Sequence, residues 1–148
     1  MNTRRQAREW AVQLLFQLDF NPEALPNVFA DFWSGKEPDS KTRQFTEELV
    51  RGVREHGAEL DAKLRAYADN WDLKRMNAVD RNVMRLALFE MLFRPEIPPV
   101  VSINEAVDIA KAFSSMESGR FVNGVLDRAC QDLDRPRRAA APRANDLA

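Results

Sequence analysis

The chain of 148 residues carries 22 basic and 23 acidic side chains, one histidine and one cysteine, for a net charge of −1. That length supports one ordinary domain with a sizeable core, while the single cysteine excludes a disulfide framework and, with one histidine, excludes a zinc site of the usual nitrogen and sulfur type. No apolar run approaches the roughly 18 residues of a membrane span and the N-terminus is charged rather than a secretory leader, so a soluble cytoplasmic protein is expected.

Helical periodicity dominates, and no stretch alternates as a strand between hairpin turns. Thr3 and Gln6 have the spacing of a capping box for a first helix, which carries an apolar stripe of Ala7, Ala11, Leu14, Leu15 and Leu18 and stops at Asn21-Pro22. Leu25 to Trp33 is a second apolar stretch, and the segment from Ser34 to Ser40 reads as a loop. Thr42 to Arg54 is helical through Phe45, Leu49, Val50 and Val53, with His56 beside Gly57 at a helix C-terminus, where the dipole favours it. Leu60, Leu64, Tyr67 and Ala68 mark a further helix before Asn70.

The stretch "MNAVDRNVMRLALFEMLF" is apolar around most of its circumference, the pattern of a helix packed on several sides, and it ends at Arg94-Pro95. In "IPPVVSINEAVDIAKAF" the proline pair stays extended and Ser102 with Glu105 has capping-box spacing, which predicts a helix start at Ser102. Ser118 is placed to cap a last helix from about Arg120 to Leu133, with Val122, Val125, Leu126 and Ala129 inward and Cys130 as a small buried residue at the stripe's edge. The expected fold is all-α, a compact helical protein of two small bundles with about six to seven helices. One bundle covers about 3–70 and the other about 75–134, within a single domain 1–134. Residues 135–148 read as a disordered basic tail.

Charge is unevenly spread. Residues 1–8 hold Arg4, Arg5 and Arg8 with no acid, and residues 135–148 also sum to +3, so the stretch between them is −7. A nucleic-acid contact would therefore be local and its electrostatic share modest. No H-E-x-x-H, phosphate-binding loop or nucleophile elbow is present, so no catalysis, cofactor or metal is expected. Glu47 with Glu48 and Asp132 with Asp134 read as solvated helix faces.

An aromatic residue recurs beside arginine away from the core stripe. Phe16 projects about 140° and Arg5 about 120° from Ala11, and the last helix carries Arg120, Phe121, Gly124 and Arg128 in one off-stripe sector. One reading is a stacking surface for single-stranded RNA, whose bases lie on aromatic rings while arginines meet phosphates. The other is that neighbouring elements bury the rings and that Gly124 permits close helix packing.

Four segments, "RRQAREWAVQLLFQ", "DRNVMRLALFEM", "IPPVVSINEAVDIAKAF" and "SGRFVNGVLDRA", together resemble the NusB family of transcription antitermination factors in order and spacing, over most of residues 3–130. The resemblance implies a helical RNA-binding protein that recognises the boxA element of nascent RNA together with the ribosomal protein NusE. The pair would join NusA, NusG and RNA polymerase to promote processive transcription of ribosomal RNA operons. By motif position it implies RNA contacts at Arg4, Arg5 and Arg8, at Phe16, where relatives often carry tyrosine, and at Arg120 and Phe121, with Tyr67 and Arg85 also on the RNA side. Asp80 falls on the position associated with NusE binding. Two other readings stand beside it. The chain also resembles the N-terminal domain of ribosomal RNA cytosine-5 methyltransferases, although no cofactor-binding βαβ unit follows. A homodimer with Phe16 and Phe121 at its interface is the third.

Overall fold

The computed structural model describes residues 3–22, 25–69, 73, 76–133 and 136–137, and among them seven helices and no strand. In order they are α1 (Arg4–Phe20), α2 (Leu25–Trp33), α3 (Ser40–Glu55), α4 (Gly57–Tyr67), α5 (Ala78–Phe93), α6 (Pro99–Phe113) and α7 (Met116–Gln131). None is long and apolar enough to cross a membrane.

Local sequence explains most of the boundaries. Thr3 Oγ1 accepts from the Gln6 N–H at 3.1 Å, Asp39 Oδ1 from Thr42 at 2.8 Å and Asn77 Oδ1 from Val79 at 2.8 Å, each satisfying a donor that the first helical turn leaves open. Pro22 forces Asn21 out of helical geometry and ends α1.

Three starts differ from expectation. Helix α3 begins at Ser40, two residues before Thr42, because Asp39 caps it. Helix α6 begins at Pro99, three residues before Ser102, because proline at the first helical position has its φ preset and no N–H to satisfy. Ser102 and Glu105 are inside the helix, bonded to other helices instead. Likewise Ser115, rather than Ser118, caps α7: Ser115 Oγ accepts from the Ser118 N–H at 3.1 Å, so the helix starts at Met116 and gains a turn before Arg120.

The stripe of α1 is buried as its spacing predicts, and α5 is enclosed on nearly every side, packing against α1, α3, α4, α6 and α7. Cys130 is a buried thiol. Glu47 and Glu48 are not simply solvated: Glu47 accepts from Trp33 Nε1 at 2.9 Å and Glu48 pairs with Arg94 at 2.9 Å. Of the expected tail only Pro136 and Arg137 are described, and Arg137 is docked, its carbonyl accepting from the Val100 N–H at 2.9 Å and its side chain paired with Asp127; the rest lies outside the described residues.

Where α3 crosses α5 the ring of Phe89 lies directly on Gly52, and a Cβ there would meet Phe89 Cζ at 2.1 Å. Gly52→Ala is expected to destabilise the protein by about 1–3 kcal/mol through overpacking, even though alanine favours a helix by about 1 kcal/mol. Urea denaturation checks this, and an unchanged midpoint would mean that the ring moves aside freely.

Candidate nucleic-acid interface

The three N-terminal arginines share a helix and meet three different environments. Arg8 lies about 60° from Ala11, between Leu15 and Val12 on the inner side of α1, and it is 3% exposed. Its Nε and Nη2 donate to the two carboxylate oxygens of Glu90 at 2.7 and 2.8 Å, and its Nη1 donates to Glu105 at 3.2 Å. Glu90, itself 1% exposed, also accepts from Ser102 Oγ at 2.8 Å. Arg8, expected on the RNA-facing side, is thus an interior ion-pair residue joining α1 to α5 and α6. Arg5 is half-buried, its guanidinium donating to Glu105 and, at 2.9 Å, to Asp108 on α6, and the Glu105 bonds hold its pKa above that of an ordinary arginine. Arg4 is exposed at the helix start, its guanidinium 4.1 Å above the Phe45 ring.

Arg85 is also committed internally. It donates to Asp61 through Nε and Nη2 at 2.7 and 2.9 Å and to Asp19 at 3.0 Å, tying α1 and α4 to α5, while Arg81 Nη2 meets the same Asp19 at 2.9 Å. Burial pushes the Asp19 carboxyl upward, but the Asn82 hydrogen bond and the charges of Arg85 and Arg81 outweigh it and hold the pKa below the usual carboxylate range. Tyr67 donates its hydroxyl to Asp132 at 2.7 Å, and its carbonyl accepts from Arg128 Nε at 2.8 Å, joining the end of α4 to α7.

The aromatic residues do reach the surface. Phe16 is 40% exposed and tilts against Phe20, 74% exposed, with ring centroids 5.0 Å apart. Beside them a groove of about 440 Å³ is lined by Val12, Gln13, Phe16, Val79 and Phe113. A second groove of about 330 Å³ has Phe121 on its wall with Met76, Asn77, Asp80, Ser115 and Ser118. Phe121 is half-buried, packed on the core from one side, and Arg120 beside it is exposed with no ion-pair partner among the described residues. A Cβ on Gly124 would meet nothing within 4 Å, so this glycine does not serve helix packing.

The model of the NusB family matches residues 5–131. The chain belongs to the NusB family. It is 47% identical over 139 residues to the transcription antitermination protein NusB of Desulforapulum autotrophicum, covering 91% of this chain and 97% of that one. The structure of T. maritima NusB superposes with a TM-score of 0.80 at 34% identity, over 90% of this chain and 94% of that one. A crystal structure of antitermination factors NusB and NusE in complex with dsRNA superposes with a TM-score of 0.77 at 26% identity, over 84% and 93% of the two chains.

In this member of the NusB family, Arg4, Phe16 and Arg120 are exposed and Phe121 is half-buried beside them, whereas Arg5 is half-neutralised and Arg8, Arg85 and Tyr67 hold helices together. Phe20 and Phe113 belong to the same exposed aromatic surface, although neither stands beside an arginine in the sequence pattern; Phe20 lies at about 180° from Ala11, the position most nearly opposite the stripe, and that angle is its signal. Asp80, on the wall of the Phe121 groove, is 6% exposed, with Oδ2 accepting from Ser118 Oγ at 3.2 Å and Oδ1 without a partner among the described residues.

Burial pushes the Asp80 carboxyl pKa up, more than the Ser118 bond lowers it. The folded state therefore holds this proton more tightly than the unfolded chain, and the ionised group opposes folding as pH rises through its folded pKa. Asp80→Asn is expected to raise Tm at neutral pH by roughly 2–4 °C, the response of a domain this size to about 1 kcal/mol. The gain should shrink as pH falls and vanish below about pH 3, where the carboxyl is protonated in both the folded and the unfolded chain. Melting at both pH values checks this; equal Tm values at neutral pH would show the carboxylate to be fully compensated.

Proposed function

We propose that this protein is an RNA-binding transcription antitermination factor that binds boxA RNA together with the ribosomal protein NusE and promotes processive transcription of ribosomal RNA operons. The observation that carries the reading is the start of α7: the Phe121 ring borders an open groove, Arg120 stands beside it without an ion-pair partner among the described residues, and Gly124 leaves the adjoining surface bare. A ring, a free guanidinium and room for a backbone are the components of single-strand recognition, stacking plus a phosphate contact. Likeness to a NusB–NusE–RNA structure supports the same assignment.

On this reading Arg4, Arg120, Phe121 and Phe16 meet the RNA, and Arg5 joins them when RNA competes with Asp108 for its exposed edge. Arg8, Arg85 and Tyr67 act by holding the helices that present these groups. The apolar face of Phe16, Phe20, Val79 and Phe113, where Val79 and Phe113 are the chain neighbours of Asp80 and Ser114 in the other groove, suits a protein partner, for which NusE is the candidate, with NusA, NusG and RNA polymerase completing a cytoplasmic complex. A homodimer would use the same apolar face.

The test is a fluorescence-anisotropy titration of labelled boxA RNA and a scrambled control, with and without NusE, at two salt concentrations. Preference for boxA that strengthens with NusE supports the reading. Equal, weak and salt-sensitive binding of both RNAs in the presence of NusE would overturn it, and light scattering would then ask whether the apolar face makes a homodimer.

A further inference from the structure

The first turns of α1 and α3 leave a groove of about 520 Å³ between them, lined by Thr3, Arg4, Asp39, Ser40, Lys41 and Phe45 among others. Three guanidiniums surround the Phe45 ring, Arg4 at 4.1 Å, Arg94 at 5.3 Å and Arg8 at 5.5 Å from its centroid. Two of them are neutralised. Arg8 has Glu90 and Glu105, and Arg94 has Glu96 at 2.7 Å and Glu48 at 2.9 Å. Arg4 has no carboxylate partner among the described residues, and neither has Lys41, exposed on α3. The one acid on the groove wall, Asp39, caps its own helix by accepting from the Thr42 N–H.

Three guanidiniums are therefore crowded at this end of α1, and Arg4 is the one among them without a carboxylate partner among the described residues. Burial lowers the Arg4 pKa, and repulsion from Arg8 and Arg94 lowers it further, against a smaller pull from Glu90 and Glu96. An anion in the groove relieves that repulsion. Stacking on Phe45 holds the Arg4 fork in one plane, which reduces the side-chain freedom lost on meeting a planar-faced or tetrahedral oxyanion. The first turns of α1 and α3 contain no acidic residue beyond the Asp39 cap of α3, and the N–H groups that the Thr3 and Asp39 caps leave open add partial positive charge of the same sign.

We propose that this groove seats one phosphodiester of the bound RNA strand, with the Arg4 guanidinium and the Lys41 ammonium converging on its oxygens. The inference rests on the RNA-binding reading above and adds α3 to it. The groove lies twelve residues from Phe16, about 18 Å along α1, so it lengthens the RNA contact toward the other end of the molecule and does not duplicate the aromatic surface.

Anisotropy titrations of single-stranded RNA against the wild type, Lys41→Gln, Arg4→Gln and, as a control, Arg65→Gln on exposed α4 test it across a series of salt concentrations. Lys41→Gln and Arg4→Gln are each expected to weaken binding roughly threefold, equally for every RNA sequence, and to reduce the slope of log K against log salt by about 0.7, the value of one single-strand phosphate contact. Arg65→Gln should leave both unchanged. Wild-type affinity and slope in Lys41→Gln, in a protein that binds RNA, would overturn the groove and leave the RNA reading standing; absence of any RNA binding by the wild type would overturn the RNA reading itself. Inorganic phosphate is the second probe, followed by the amide shifts of Thr3 and Lys41. Saturable phosphate binding that RNA does not displace would assign the groove to a free anion and overturn the proposal.

Discussion

Arg8→Ala is expected to destabilise the protein by about 3–5 kcal/mol, the range for breaking a buried ion pair by removing one partner. The reason is what remains behind. Glu90 is 1% exposed at the centre of the most enclosed helix, and without Arg8 it retains only the Ser102 hydroxyl as a hydrogen-bond donor among its described partners. A lone buried carboxylate has lost its hydration without compensation, a larger penalty than the pair's own attraction would suggest. Removing both charges is different: Arg8→Met with Glu90→Leu fills similar volume and leaves no buried charge, only the Ser102 hydroxyl without its Glu90 acceptor, and should recover most of the loss. Urea denaturation of the single and double variants measures the recovery. The double variant also separates two roles, since Arg8→Ala would weaken RNA binding merely by unfolding. If Arg8 is the interior strut that its contacts describe, the folded double variant binds RNA as the wild type does; a large loss of affinity in it would mean that Arg8 leaves its pair to meet the strand.

The misplacement of Arg8 shows where sequence reading stops. Apolar spacing made the inner face of α1 legible, because burial follows from helix geometry and side-chain type alone, and the enclosure of α5 was legible in the same way. The neutralisation of the arginines was not. Their carboxylate partners are 82 to 103 residues away in sequence, so a segment that sums to +3 locally is largely compensated in space. One cue was present: an angle of about 60° puts Arg8 between Leu15 and Val12, inside the buried sector. The false helix start at Ser102 has a related cause. The S-x-x-E pattern is local, whereas Ser102 and Glu105 are spent on Glu90, Arg5 and Arg8 of other helices. Helical angle already separates Gly52 from Gly124: Gly52 falls about 20° from Phe45 on the apolar stripe of α3, whereas Gly124 lies in the off-stripe sector of α7, and only the identity of the ring that roofs Gly52, Phe89, needed the packing of α5.

Phe121→Ala is expected to weaken binding of single-stranded boxA RNA by about 5- to 150-fold, the range for one lost base stack of about 1–3 kcal/mol. Its ring is half-buried, so part of the side chain supports the fold; the change should lower Tm as well, and affinity must be measured where the variant is fully folded. Phe121→Leu keeps most of the packing and removes the flat face, so a loss of affinity in both variants isolates stacking from support. Gly124→Ala then probes the neighbouring surface from the opposite direction. With nothing within 4 Å of the added methyl group, it should stabilise α7 by up to about 1 kcal/mol through helix propensity. If the strand passes over bare backbone there, the same variant is more stable and binds RNA less tightly, a combination that no purely structural role for the glycine produces. A more stable Gly124→Ala protein with unchanged RNA affinity would instead place the strand's path on the Asp80 side of Phe121, along the groove that Asn77 and Ser118 line.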